Sequence, residues 1–319
     1  MKSDCKEDAC GHFPVMADRA VAWVSPRPEG LYIDATVGLG GHTLALLTAG
    51  AGRILALDRD VSALDQARKR LEQSGYLSRV DFVQAQYREL AEIMAAQGWD
   101  KAQGLILDAG VSSLQLEDAR RGFSFVHDGP LDMRMDVHQE KDAALVVHRY
   151  SERELRRIIW EYGQEPMAGR IARRIVQERQ KARILTTGHL AEVVSKAYPH
   201  KRRVRSRNHP ATKTFQAVRI AVNDELEGLQ ALVRALPDLL TPGSRAVIIT
   251  FHSLEDRIVK HTFRAQSQGC TCPLEQQVCT CVPTPRIKVL TPKPELPDTQ
   301  ELTVNSRSRS AKMRVAEVL

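Results

Sequence analysis

The stretch from Leu31 to Asp58 constrains this chain more than any other. It reads as a strand (Leu31-Tyr32-Ile33), a glycine-rich turn (Gly38-Leu39-Gly40-Gly41-His42), a helix over Thr43 to Leu47, and a second strand (Arg53 to Leu57) closed by an acid. Glycines at a strand-to-helix turn let the backbone bend sharply and approach a ligand closely. They do so at a helix N-terminus, where unpaired N–H groups and the positive dipole end lie. Asp58 follows Gly38 by 20 residues, where an acid binds a ribose diol. The two together point to a nucleoside-bearing cofactor, against the plainer reading of a tight turn and a strand-capping acid. A dinucleotide fingerprint needs glycine at position 43, where Thr43 stands. Gly40-Gly41 suits a methionine tail and a sulfonium. S-adenosylmethionine is therefore the expected cofactor, and a nicotinamide-dependent oxidoreductase is the second reading.

The same strand–helix rhythm continues through Val61 to Leu71 (helix), Val80 to Val83 and Gly104 to Leu107 (strands), then stops. Between Leu116 and Val222 the pattern is helical. Ser151-Glu152-Arg153-Glu154 is a capping box, with Leu155, Ile158, Ile159 and Tyr162 at helical spacing behind it. Strand grammar resumes at Ala246 to Thr250, after a turn expected at Pro242-Gly243, and Arg286 to Leu290 and Met313 to Val318 are expected to pair as a terminal antiparallel hairpin. The fold class expected is α/β: a doubly wound, Rossmann-like class I methyltransferase sheet with an inserted all-helical domain. Its segments are 1–115, a helical insertion 116–222, and 223–319.

Charge divides the same way. Residues 113–221 hold 22 Lys+Arg against 13 Asp+Glu, and the remainder 24 against 26, so all of the net +7 sits in the insertion. Lys201-Arg202-Arg203-Val204-Arg205-Ser206-Arg207 has five cations in seven residues. Alone it would be a solvated loop, but within so basic a segment it is expected to track phosphates. Aromatic residues make up 5% of the chain, which favours backbone and shape recognition of RNA over a stacking platform. The first residues lack an apolar run of the signal-peptide kind, so a cytoplasmic location is expected. Cys270, Cys272, Cys279 and Cys281 are a candidate tetrathiolate zinc site, against a loop of free thiols. A non-catalytic, zinc-stabilised RNA-binding protein is accordingly a third reading.

Longer segments carry a resemblance. They include Thr36 to His42, Asp108 to Gln115, Arg121 to Phe125, Asp128 to Asp136, His209 to Thr212, Thr214 to Ala217, Phe251 to Arg257 and Ser306 to Lys312. In these the chain resembles the bacterial 16S rRNA methyltransferases that modify the exocyclic N4 of a cytosine near the decoding centre. The resemblance implies a partner, 16S rRNA in the small ribosomal subunit, and leaves a homodimer open. It implies that Gly40, Gly41 and His42 contact S-adenosylmethionine, that Asp58 takes the ribose, and that Tyr87, Asp108 and Gln115 complete the shell. Tyr87 stands where the family usually has phenylalanine, Ala109 for leucine, Lys213 for arginine, and His148-Arg149 for valine-asparagine.

Three residues are candidates for the chemistry. Asp108 either holds the cofactor, the favoured reading, or accepts an amino N–H. Asp132 is a carboxylate acceptor, or simply the partner of Arg134. His252, after the fifth strand, is a base or base-contacting donor, against a plain helix cap at Ser253.

Overall fold

The computed structural model describes residues 14–199, 209–269 and 283–319. The chain divides into two compact units, 1–110 with 228–319, and 111–227. The sequence pattern sets the corresponding junctions at 115/116 and 222/223.

The first unit is built on seven strands: β1 Leu31–Asp34, β2 Arg53–Asp58, β3 Val80–Gln84, β4 Ala102–Asp108, β5 Leu240–Thr250, β6 Ile287–Val289 and β7 Lys312–Val318. Their order is β3-β2-β1-β4-β5-β7-β6. β1 to β5 run parallel, and β7 enters antiparallel between β5 and β6. Alternate residues of each strand face opposite layers, which is why the strands are near-continuous apolar runs. Tyr32, Ile54, Ala56, Ile106 and Val247 join one buried cluster with helix residues Leu46, Leu64 and Leu71. Their neighbours Ile33, Leu55, Leu57, Leu105 and Ile248 join the other, with Leu229, Leu232, Leu236, Val259 and Phe263. The winding direction reverses between β1 and β4, and in open α/β sheets the crevice beyond such a reversal is where ligands bind.

Two local expectations need revision. No turn interrupts the chain at Pro242-Gly243: β5 starts at Leu240 and runs through both. Gly243 takes φ +81° and the pairing with β4 jumps from Ala102↔Leu240 to Gly104↔Arg245, so the extra residues bulge. The 287–289 and 312–318 strands do pair antiparallel, with Ile287 opposite Val318. They form no hairpin, since the helix Thr299–Val304 lies between them in the chain.

The second unit packs the helices Ala143–Arg149, Glu152–Glu161, Ala168–Arg179, Thr187–Ala197 and Thr212–Asn223 around Val146, Leu155, Ile158, Ile171, Ile175, Leu190, Val194, Phe215 and Val218. Ser151 and Glu154 form the expected reciprocal cap. Among the described residues of this unit the only strand-like pairing is an isolated bridge, Pro130↔Thr186. The loop around Met133, itself at φ +60°, is bonded by the Arg121 guanidinium at the carbonyls of Arg134 and Met135 and by one buried carboxamide. The Asn223 carboxamide accepts from Met135 N (2.8 Å) and donates to the carbonyls of Met133 (2.8 Å) and Arg219 (2.9 Å).

Removing that amide would strand buried backbone groups, at a cost of roughly 1–3 kcal/mol each. Asn223→Ala should therefore lower the urea midpoint by an amount matching about 2 kcal/mol or more. Unchanged denaturation would show that the loop is held by other contacts.

Candidate active site

Three of the parallel strands end in aspartate: β1 in Asp34, β2 in Asp58, β4 in Asp108. Each acid has a distinct set of partners. Asp34 is fully buried; its carboxylate accepts Thr43 Oγ1 at 2.6 Å and Thr36 N at 3.3 Å. Burial pushes its pKa up, partly offset by nearby His42 and by these bonds. Thr36 in turn uses its Oγ1 to accept Asp108 N at 2.8 Å, joining the ends of β1 and β4 across the reversal.

Asp58 accepts Gly38 N on one oxygen and Asp60 N on the other, both at 2.9 Å. Burial lifts its pKa to about 6 against those two bonds, and the charges of Asp60 and Asp34 add to the rise. A carboxylate has about four lone-pair positions, so acceptor capacity is left for a pair of hydroxyls.

The turn between β1 and the helix Gly41–Thr48 relies on left-handed backbone at Gly38 (φ +50°) and Gly40 (φ +77°). Their surroundings differ. A Cβ at Gly40 would sit 3.3 Å from Ala67, and one at Gly41 only 2.8 Å from Pro14, whereas a Cβ at Gly38 would meet nothing within 4 Å. Gly40 and Gly41 thus permit close packing, and Gly38 borders open space. Gly40, as the helix cap, offers no side-chain acceptor of its own, and within the first turn the Asp34 carboxylate takes the backbone N–H of Thr43.

His42, buried on that helix, places Nε2 2.9 Å from the Val15 carbonyl and Nδ1 4.0 Å from Asp108 Oδ2. The other Asp108 oxygen, Oδ1, is buried with no hydrogen-bond partner. Burial raises the Asp108 pKa to about 7; His42 opposes the shift, and Asp34, Glu255 and Glu301 reinforce it. Tyr87 opens a short helical turn after β3 and packs beside Gly228, where a Cβ would lie 3.1 Å from the ring.

The remaining candidates are placed as follows. Gln115 is buried in the second unit and closes a reciprocal cap with Ser112. In that unit Asp132 forms a two-pronged pair with Arg134, Nε and Nη2 at 2.9 and 2.7 Å. His252, not Ser253, caps the helix Ser253–Gln268: Nδ1 accepts Glu255 N at 3.4 Å, and Nε2 lies 3.0 Å from Glu255 Oε1. The cap engages Nδ1, while Nε2 is buried and makes no hydrogen bond. Histidine is not among the usual capping residues, which is why the sequence suggested Ser253. Cys270, Cys272, Cys279, Cys281 and the basic run 201–207 lie outside the described residues. Sequence reading missed Asp34, Thr36, Thr43 and Glu255; Asp34 was within reach, as the acid immediately before the glycine turn.

This geometry can be set beside known proteins. A family model described as the MraW methylase family matches residues 9–319. The chain belongs to that family. The chain is also similar to relatives called ribosomal RNA small subunit methyltransferase H. The one from Solidesulfovibrio magneticus is 50% identical over 97% of this chain and 95% of its own. That from Maridesulfovibrio salexigens is 50% identical over 96% and 95%, and that from Brevibacillus brevis 46% over 97% and 98%. An rRNA methylase structure from Streptococcus thermophilus matches at TM-score 0.42 and 11% identity, covering 95% of this chain and 93% of that one, too loosely to add to the argument.

The raised pKa of Asp108 has a consequence for stability. An unfolded aspartate titrates near ~3.9, so the native state binds this proton more tightly. The stability linked to it is complete below about pH 4 and is lost as pH rises through about 7. Asp108→Asn in the cofactor-free protein should therefore be more stable than the parent at pH 8, by about 4 kcal/mol at most, a gain that shrinks toward pH 4. Equal stability at pH 8, measured by urea titration, would mean that Asp108 ionises at an ordinary pH.

Proposed function

We propose that this chain transfers the methyl group of S-adenosylmethionine to the exocyclic N4 of a cytosine in the 16S rRNA of the small ribosomal subunit, acting in the cytoplasm. The observation that carries the cofactor assignment is the buried, partnerless Oδ1 of Asp108 at the reversal of the sheet, beside a helix start whose cap residue is a glycine. The chain's membership of the MraW family, and relatives named for small-subunit rRNA, support the substrate.

The residues fit the group. Asp58 keeps lone pairs for the ribose diol, and Gly38 leaves room beside it. The N–H groups opening the helix Gly41–Thr48 suit a carboxylate tail, and the carboxylates of Asp34, Asp58 and Asp108 create a negative field that favours a sulfonium. When bound, S-adenosylmethionine supplies an electrophilic methyl group. A cytosine amino group is a weak nucleophile because its lone pair is delocalised into the ring. What the protein must add is orientation and stabilisation of charge developing on nitrogen. Asp108 is assigned to the cofactor. Asp132 and His252 are bound to Arg134 and to a helix cap, and neither is assigned a proton. The excess of cations in residues 113–221 is assigned to rRNA phosphates.

Labelled S-adenosylmethionine supplied with small subunits, naked 16S rRNA and tRNA should label a cytosine N4 in small-subunit rRNA. Label on tRNA alone, or on a ring carbon, would overturn the substrate. Asp58→Ala should weaken S-adenosylmethionine binding by roughly tenfold or more in calorimetry, as expected for lost hydrogen bonds to a charged acceptor. Unchanged affinity would place the ribose elsewhere.

A further inference from the structure

The orientation of His42 is decided far from the glycine turn. A carbonyl only accepts, so the 2.9 Å contact with Val15 O requires the His42 proton on Nε2. In the neutral ring Nδ1 then carries the lone pair that faces Asp108. The position of the Val15 carbonyl depends on the next residue, Met16, which adopts φ +51°, a left-handed conformation unfavourable for a side chain of this size. Met16 is held there by Glu301, whose Oε1 accepts Met16 N at 2.7 Å across 285 positions of sequence. The same oxygen accepts Ser308 Oγ at 2.6 Å, and Ser308 is fully buried.

Neighbouring contacts fasten the same two segments. Arg19 donates to Asp298 and to the Leu296 carbonyl, and Trp23 Nε1 donates to Glu295 at 3.0 Å. Gly41, lacking a Cβ, lets Pro14 settle against the helix start.

We infer that Glu301 is a positioning residue for the methyl-donor site: by holding Met16 it sets the Val15 carbonyl, which fixes the proton of His42 on Nε2 and so determines what Asp108 meets. Ser308 orients the Glu301 carboxylate for this task. The charge of Glu301 reaches Asp108 as well, alongside Asp34 and Glu255 and against His42, in keeping with its place beside the site. The functional meaning rests on the proposed cofactor site, but the orientation itself is a property of the cofactor-free chain.

The test reads the imidazole nitrogens of His42 by long-range 1H–15N correlation in the full-length, cofactor-free protein. The parent should show the single tautomer with Nε2 protonated. Glu301→Ala should give a mixture, and Ser308→Ala a detectable second form. Glu301→Gln, which keeps an acceptor oxygen, should restore the parent pattern. S-adenosylmethionine affinity by calorimetry should fall by about tenfold in Glu301→Ala and about twofold at most in Glu301→Gln. A lowered Tm with an unchanged His42 pattern in Glu301→Ala would overturn the inference and leave Glu301 a merely structural residue. Should Glu301→Ala not fold, an unchanged pattern in Ser308→Ala would overturn it equally. A parent protein that shows the single tautomer yet binds no S-adenosylmethionine would sink the cofactor reading while the positioning role stands.

Discussion

The buried bond between Asp34 and Thr43 is the contact on which the rest of the site depends. It ties the last residue of β1 to the first turn of the helix that follows, with only eight residues between. Once those two points are fixed, the intervening chain has to close a tight reversal, and left-handed backbone at Gly38 and Gly40 provides it. The loop is then attached to both neighbouring strands: Thr36 Oγ1 receives Asp108 N, and Gly38 N bonds to Asp58. Two of those partners are strand-end acids, so the bonds that shape the turn also set the electrostatics beside it. Burying such acids opposes stability, since all three have raised pKa values. The apolar layers on both faces of the sheet supply the offsetting burial.

The two units are specialised by charge. The sheet unit concentrates carboxylates at its strand ends, an arrangement suited to a small cation. The helical unit carries the excess of Lys and Arg, suited to a polyanion. A single mean charge for the chain would conceal that division. Its two halves correspond to the two partners a nucleic-acid methyltransferase must recognise.

Features written in local spacing were legible in the sequence. The apolar runs of β1, β2 and β4 and the acids at the ends of β2 and β4 are of this kind, as is the Ser151–Glu154 cap, because each is decided within a few residues. What escaped was decided by distant contacts or by unusual substitutes. Pro242-Gly243 reads as a turn, yet pairing with β4 and β7 draws the strand through it as a bulge. Gly41 reads as a ligand-facing glycine, but Pro14 occupies the space its side chain would need. His252 reads as a free rim histidine and is instead a helix cap. Nothing in the local pattern around Glu301 could announce a bond to Met16.

Hydrogen-bond accounting then narrows the strand-end carboxylates to one. Asp34 is engaged by Thr43 and Thr36, and Asp58 by Gly38 and Asp60, so both arrive at ligand binding already bonded to their own fold. Asp108 differs. Its backbone N–H is satisfied by Thr36, but Oδ1 is buried without a partner and Oδ2 stands 4.0 Å from His42 Nδ1, beyond hydrogen-bond distance. A buried acceptor left open in this way carries an energetic penalty that a donor from outside the chain would relieve. The same desolvation that raises its pKa makes a cation or a polar N–H more effective there than in water. The strand-end acid whose carboxylate the fold leaves unpartnered is thus the one best prepared to gain from a ligand.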